Sequence, residues 1–124
     1  MLGSSKLMAF VGTTDTPRAR QFYENVLGLT FVADEPFALV FNADAVMVRI
    51  FKLEALTPAP YTVLGWSVAD IDRMIQALGS KGVAFERFPG LEQDKTGVWV
   101  SPSGAKVAWF KDPDGNVLSI TQFA

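Results

Sequence analysis

Histidine and cysteine are both absent from the 124 residues. That removes the commonest metal ligand, the side chain best suited to proton transfer near neutral pH, and every thiolate. The chemistry left to the chain is that of carboxylates, guanidiniums, hydroxyls and aromatic rings. Its carboxylates are placed for solvent and turns rather than for acid–base work. Glu86, Glu92 and Asp94 fall at a strand end and in a loop, and Asp112 and Asp114 belong to a Pro-Asp-Gly turn whose backbone N–H groups they can accept from. Gly12, Gly28 and Gly65 form neither a phosphate-cradling motif nor a dinucleotide fingerprint. Two features remain. Arg49 is a planar, permanently charged fork in the apolar run Ala45–Phe51; it suits a carboxylate, phosphate or enolate oxygen, or else pairs with Glu54, Asp44 or another surface acid. Trp66, Trp99 and Trp109, with Phe10, Phe41 and Phe51, supply enough ring surface for a stacking pocket.

Strand alternation sorts these residues by face. Val48 and Ile50 suit a buried face, which turns Arg49 to the other one, together with Phe51. Phe10 shares the face of Met8, while Trp66 falls with Leu64 and Val68 on the side expected to meet a helix. Trp99 and Trp109 lie on adjacent strands and at least one is expected to face inward, with the parity left open. Ser119 either hydrogen-bonds a ligand or satisfies neighbouring backbone, as strand serines commonly do.

The elements that must hold these residues follow from turn chemistry and periodicity. Val107–Phe110 and Val117–Ile120 flank Lys111-Asp112-Pro113-Asp114-Gly115-Asn116, a hairpin whose turn is set by Pro, Asp and Gly. From the start of the chain, Leu7–Gly12 reads as a strand. Asp15 or Thr16 caps a helix carrying the stripe Ala19, Phe22, Tyr23, Val26 and Leu27, and Gly28 ends it. Leu29–Val32 is a strand, and Pro36–Phe41 and Ala45–Phe51 form a hairpin turning at Asn42-Ala43-Asp44. Leu53–Tyr61, with Pro58 and Pro60, is a connector. The pattern then restarts: a strand over Thr62–Val68, Asp70 as cap, a stripe of Ile71, Met74, Ile75 and Leu78, a strand at Val83–Phe85, another at Val98–Val100, and the hairpin. The loop Pro89–Gly97 is long enough to serve as a flap.

The halves align: Asp15 with Asp70, Arg18 with Arg73, Gln21 with Gln76 and, after one gap, Gly28 with Gly82 and Phe31 with Phe85. The fold class is therefore α+β, two βαβββ modules over residues 6–52 and 61–123 in a single domain, joined by the Pro-containing linker. Each half is marginal as an independent core, so the halves are expected to pack on each other or across a dimer and leave a concave space for a small molecule. With 49% apolar residues and a net charge of −2, the basic residues scattered, neither a nucleic-acid footprint nor a membrane span is expected. Met1–Lys6 lacks a signal peptide's pattern, and the expected location is cytoplasmic.

The run Phe22-Tyr23-Glu24-Asn25-Val26-Leu27-Gly28-Leu29, followed at the far end by Asp112-Pro113-Asp114-Gly115-Asn116, resembles the vicinal oxygen chelate superfamily of glyoxalase I, extradiol dioxygenases and bleomycin-resistance proteins. The resemblance spans Lys6 to Phe123. It implies curved mixed sheets enclosing a cavity and, in the enzymes, a divalent metal on His and Glu from the first and last strands of each module. Carried across by position, those ligands become Met8, Arg49, Val63 and Ser119. One hydroxyl, two apolar groups and a cation do not hold Mg²⁺, Mn²⁺ or Zn²⁺. The function expected is thus a metal-free small-molecule-binding protein with no catalytic residues and no cofactor. Its ligand, aromatic or anionic, is expected against Met8, Phe10, Arg49, Phe51, Val63, Trp99, Trp109 and Ser119. The alternative is a lyase or oxygenase with an atypical or absent metal site. The same resemblance implies a homodimer.

Overall fold

The structure, a computed structural model, describes residues 1–124. It divides into two compact units, Met1–Pro58 and Ala59–Ala124, each built on a four-stranded mixed sheet. The first unit runs β1 (Met8–Thr13), α1 (Thr16–Gln21), β2 (Thr30–Asp34), β3 (Ala38–Ala43) and β4 (Val46–Lys52). Asp15 caps α1 as its sequence position demands, its Oδ1 accepting from Arg18 N at 3.1 Å. The helix then widens into a π turn over Phe22–Val26, closed by Leu27 N donating to Phe22 O at 2.9 Å. The wider turn lets two successive rings, Phe22 and Tyr23, both reach the core, where Tyr23 meets Phe41 at 6.1 Å between ring centres. Gly28 ends the segment at φ +76°, the left-handed cap expected.

The strands of this sheet lie in the order β1-β4-β3-β2, with β1 parallel to β4 and the other pairs antiparallel. Leu39, Phe41, Val48 and Ile50 alternate onto the face that α1 covers and are fully buried. The β3–β4 hairpin does not turn at Asn42-Ala43-Asp44. Its two loop residues are Asp44 and Ala45, both at positive φ (42° and 67°), because that handedness matches the twist of the strands it joins.

The second unit repeats the plan with β5 (Thr62–Ser67), α2 (Ile71–Ser80), β6 (Trp99–Val100), β7 (Lys106–Lys111) and β8 (Val117–Gln122), in the order β5-β8-β7-β6. Asp70 caps α2 with the geometry of Asp15, its Oδ1 3.1 Å from Arg73 N. Ile71, Ile75 and Leu78 bury the helix's apolar stripe, and Ala108, Phe110, Leu118 and Ile120 line the core side of the sheet. Trp66 stacks on Phe110 at 6.5 Å, as its parity with Leu64 requires. The β7–β8 turn has the predicted chemistry: Asp112 Oδ1 accepts from Asp114 N and Asn116 N, both at 2.9 Å, and Gly115 takes φ +88°.

Val83-Ala84-Phe85 does not form a strand; only an isolated bridge joins Phe85 to Phe110. A side chain takes over the role of a neighbouring strand. Gln93 Nε2 donates to Glu86 O at 2.9 Å and to Gly97 O at 2.8 Å, and its Oε1 accepts from Phe88 N at 2.8 Å. Neither helix is long and apolar enough to cross a membrane.

Candidate functional site

Each sheet turns one face to its helix, and the opposite faces collect most of the residues singled out above. In the first unit, register pairs Met8 with Met47, Phe10 with Arg49 and Gly12 with Phe51, so Met8, Phe10, Met47, Arg49 and Phe51 share the face away from α1. The rings of Phe10 and Phe51 meet at 5.4 Å with Phe10 half exposed. Leu53 and Leu56 fold over one end of this face, close to Gly12, where a Cβ would lie 2.7 Å from Leu53 Cδ1. At the other end Lys6, Leu7, Met8, Asn42, Ala45 and Met47 line a shallow depression of about 340 Å³.

Arg49 is on the expected face, but its charge is partnered. Its Nη2 donates to Glu35 Oε1 at 2.7 Å, and its Nη1 approaches Met47 Sδ at 3.9 Å. The acid is therefore neither Glu54 nor Asp44. Glu35 is carried back over the sheet by the turn between β2 and β3, where its own N–H donates to Ala38 O at 2.9 Å. No periodicity marks Glu35 in the sequence; the backbone route alone brings it 14 residues back to Arg49.

In the second unit the open parity closes in favour of both tryptophans. Trp99 pairs with Val107, and Trp109 with Ser119, which puts Trp99, Trp109 and Ser119 on the face away from α2. Their rings lie 6.1 Å apart at 39°, and Phe88 stands edge-on to Trp109 at 5.4 Å, an aromatic neighbour that the sequence reading missed because Phe88 lies in no strand. Ser119 is buried and faces Gly65, its partner on β5; a Cβ at Gly65 would sit 2.7 Å from Ser119 Oγ. Val63 falls in the break of register between Thr62 and Leu64 and is half-buried. Lys111, two residues beyond Trp109 on the same strand, pairs with Glu86 at 3.7 Å.

The loop expected as a flap is held by its own side chains. Asp94 Oδ1 accepts from Thr96 N (2.9 Å), Thr96 Oγ1 (2.8 Å) and Val98 N (3.0 Å). Partial burial pushes its carboxyl up, yet the hydrogen bonds from Val98, Thr96 and Gly97 outweigh that and hold it below the ordinary 3.8. Glu92, Gln93 and Asp94 with Val98, Trp99 and Val100 border a second shallow depression of about 370 Å³.

A metal fits none of this. No three carboxylates gather closely enough to hold an ion. The positions where the resemblance places metal ligands carry a thioether, a guanidinium already bound to Glu35, an aliphatic group and a hydroxyl; such a set lacks the anionic oxygens or imidazoles that divalent ions require.

The family model described as the Glyoxalase/Bleomycin resistance protein/Dioxygenase superfamily matches residues 7–120. No curated protein matches the chain. Among solved structures, the chain is similar to a glyoxalase family protein from Enterococcus faecalis (TM-score 0.77, 19% identity, covering 98% of this chain and 100% of that one). It is similar also to TnmS3, an antibiotic binding protein from Streptomyces sp. CB03234 (TM-score 0.76, 24% identity, covering 100% and 99%). A third is the lactoylglutathione lyase from Agrobacterium tumefaciens (TM-score 0.73, 18% identity, covering 96% and 93%).

Proposed function

Because the chain belongs to the glyoxalase/bleomycin resistance protein/dioxygenase superfamily, we propose that it binds a small, partly aromatic molecule without a metal, on the sheet faces turned away from the helices. The observation that carries this reading is the Trp99–Trp109–Phe88 cluster, three rings within stacking distance on a face that the helix leaves free. Phe10 and Phe51, with Met8 beside them, give the first unit a second aromatic face. The likeness in fold to an antibiotic binding protein supports binding, while the unsuitable donor set at Met8, Arg49, Val63 and Ser119 weighs against metal-dependent lyase or oxygenase chemistry. Self-association belongs to the same proposal. β1 is an end strand of its sheet and its face presents exposed Met8 and Phe10, with exposed Leu7 just before it.

Titration with uncharged phenylnaphthylamine, followed by probe emission and tryptophan quenching, tests the proposal. Saturable binding that weakens about tenfold in Trp99→Ala or Trp109→Ala is the expected result, in line with the worth of one aromatic contact. Absence of binding, or binding indifferent to both substitutions, overturns it.

A further inference from the structure

The charges on these faces are matched internally, and the match in the first unit points to a ligand class. Arg49 is surrounded on its face by Met8, Phe10, Met47 and Phe51, and its side chain is only 22% exposed. Glu35 is the one carboxylate paired with it, and that side chain is 45% exposed. A guanidinium set among apolar groups would ordinarily be the anchor for an anionic ligand. Here Glu35 Oε1 holds Nη2 at 2.7 Å, so an incoming anion meets a guanidinium whose charge is already neutralised and must lie close to the carboxylate that neutralises it. We propose that Glu35 is a specificity-determining residue that makes this face select uncharged aromatic ligands and reject aromatic carboxylates and sulfonates. The inference rests on the binding function proposed above and narrows the ligand of the first unit's face to the neutral class. Discrimination comes from an unfavourable element placed against the wrong ligand, not from an added contact to the right one.

The test uses two probes with one skeleton: uncharged phenylnaphthylamine and the anilinonaphthalene sulfonate anion. Each is titrated against the full chain, Glu35→Gln, Arg49→Met and the double variant, with near-ultraviolet circular dichroism as the check of native packing. In the unsubstituted protein the neutral probe binds tighter. Glu35→Gln keeps the side-chain shape but removes the competing charge, so affinity for the sulfonate rises about tenfold while that for the neutral probe stays within about twofold. The gain is lost in the double variant and shrinks with added salt, as a contact with a partly exposed guanidinium must. A sulfonate affinity unchanged in Glu35→Gln, or a gain that survives in the double variant, overturns the role of Glu35 while leaving the binding function standing. A sulfonate that outbinds the neutral probe in the unsubstituted protein does the same without any variant. If neither probe binds any form, both readings fall together.

Discussion

Gly65 and Ser119 form a close contact that neither residue announces alone. The hydroxyl of buried Ser119 occupies the space where any other residue at position 65 would place its Cβ, with only 2.7 Å between them. Gly65→Ala is expected to destabilise the protein by about 1–3 kcal/mol through overpacking. Adding Ser119→Ala should recover at least half of that, measured by urea denaturation of both single variants and the double. Gly12 is the internal control. A Cβ there meets Leu53 at the same distance, but Leu53 is 42% exposed and free to swing away, so Gly12→Ala should cost under about 1 kcal/mol. Ala45 tells the opposite story. It stands at φ 67° in a two-residue turn where glycine is favoured, at the position that Gly115 holds in the other half. Ala45→Gly relieves a left-handed strain of about 1–2 kcal/mol and returns part of it as unfolded-state entropy. A rise of a few degrees in the thermal midpoint is the expected outcome.

Between strands, the segment from Glu86 to Val98 shows how side chains replace missing ladder bonds. Gln93 and Asp94 together satisfy six backbone or hydroxyl partners, three each, in a stretch whose Pro89 and Gly90 disfavour a regular strand. Asp94 makes this loop responsive to acid. Its carboxyl is held below 3.8 in the folded state, so its contribution is complete above that pH and disappears as pH falls through the lower folded value. The stability difference between the unsubstituted protein and Asp94→Ala should therefore be constant from pH 5 to 7 and shrink below about pH 3.8. Thermal denaturation at a series of pH values reads it directly. A difference that grows in acid would contradict the assignment.

For the molecule as a whole, the two units repeat one plan and use it differently. Equivalent strands carry Arg49 between Phe10 and Val40 in the first sheet, and Ser119 between Gly65 and Trp109 in the second. One face is apolar around a neutralised ion pair; the other is built from tryptophan around a small polar notch. Neither arrangement offers a divalent ion its ligands, so exhaustive chelation should leave the affinity for an uncharged aromatic probe unchanged within about twofold. Loss of binding on chelation, restored by one divalent metal, would identify an ion site that the donor set does not suggest. Light scattering during gel filtration checks the proposed self-association, a mass twice that of the chain being the expected result.

How far such features could be read in advance depended on contrast between neighbouring side chains. Asp15 and Asp70 before their helices, Gly28 after the first, and the Asp112–Asn116 turn were legible because each acts through local backbone geometry that a few adjacent residues specify. Arg49 was legible as a face because Val48 and Ile50 flank it; a charge between two aliphatic residues leaves alternation one reading. Val107-Ala108-Trp109-Phe110 has no such contrast, and only the pairing of Trp99 with Val107 and Trp109 with Ser119 set both rings on one side. The partner of Arg49 and the neighbour of Trp109 were equally invisible, since Glu35 and Phe88 reach them from irregular backbone across the sheet. Local chemistry wrote the elements into the chain; which side chains meet over the sheets arose from long-range register, and the proposed ligand preference follows from those meetings.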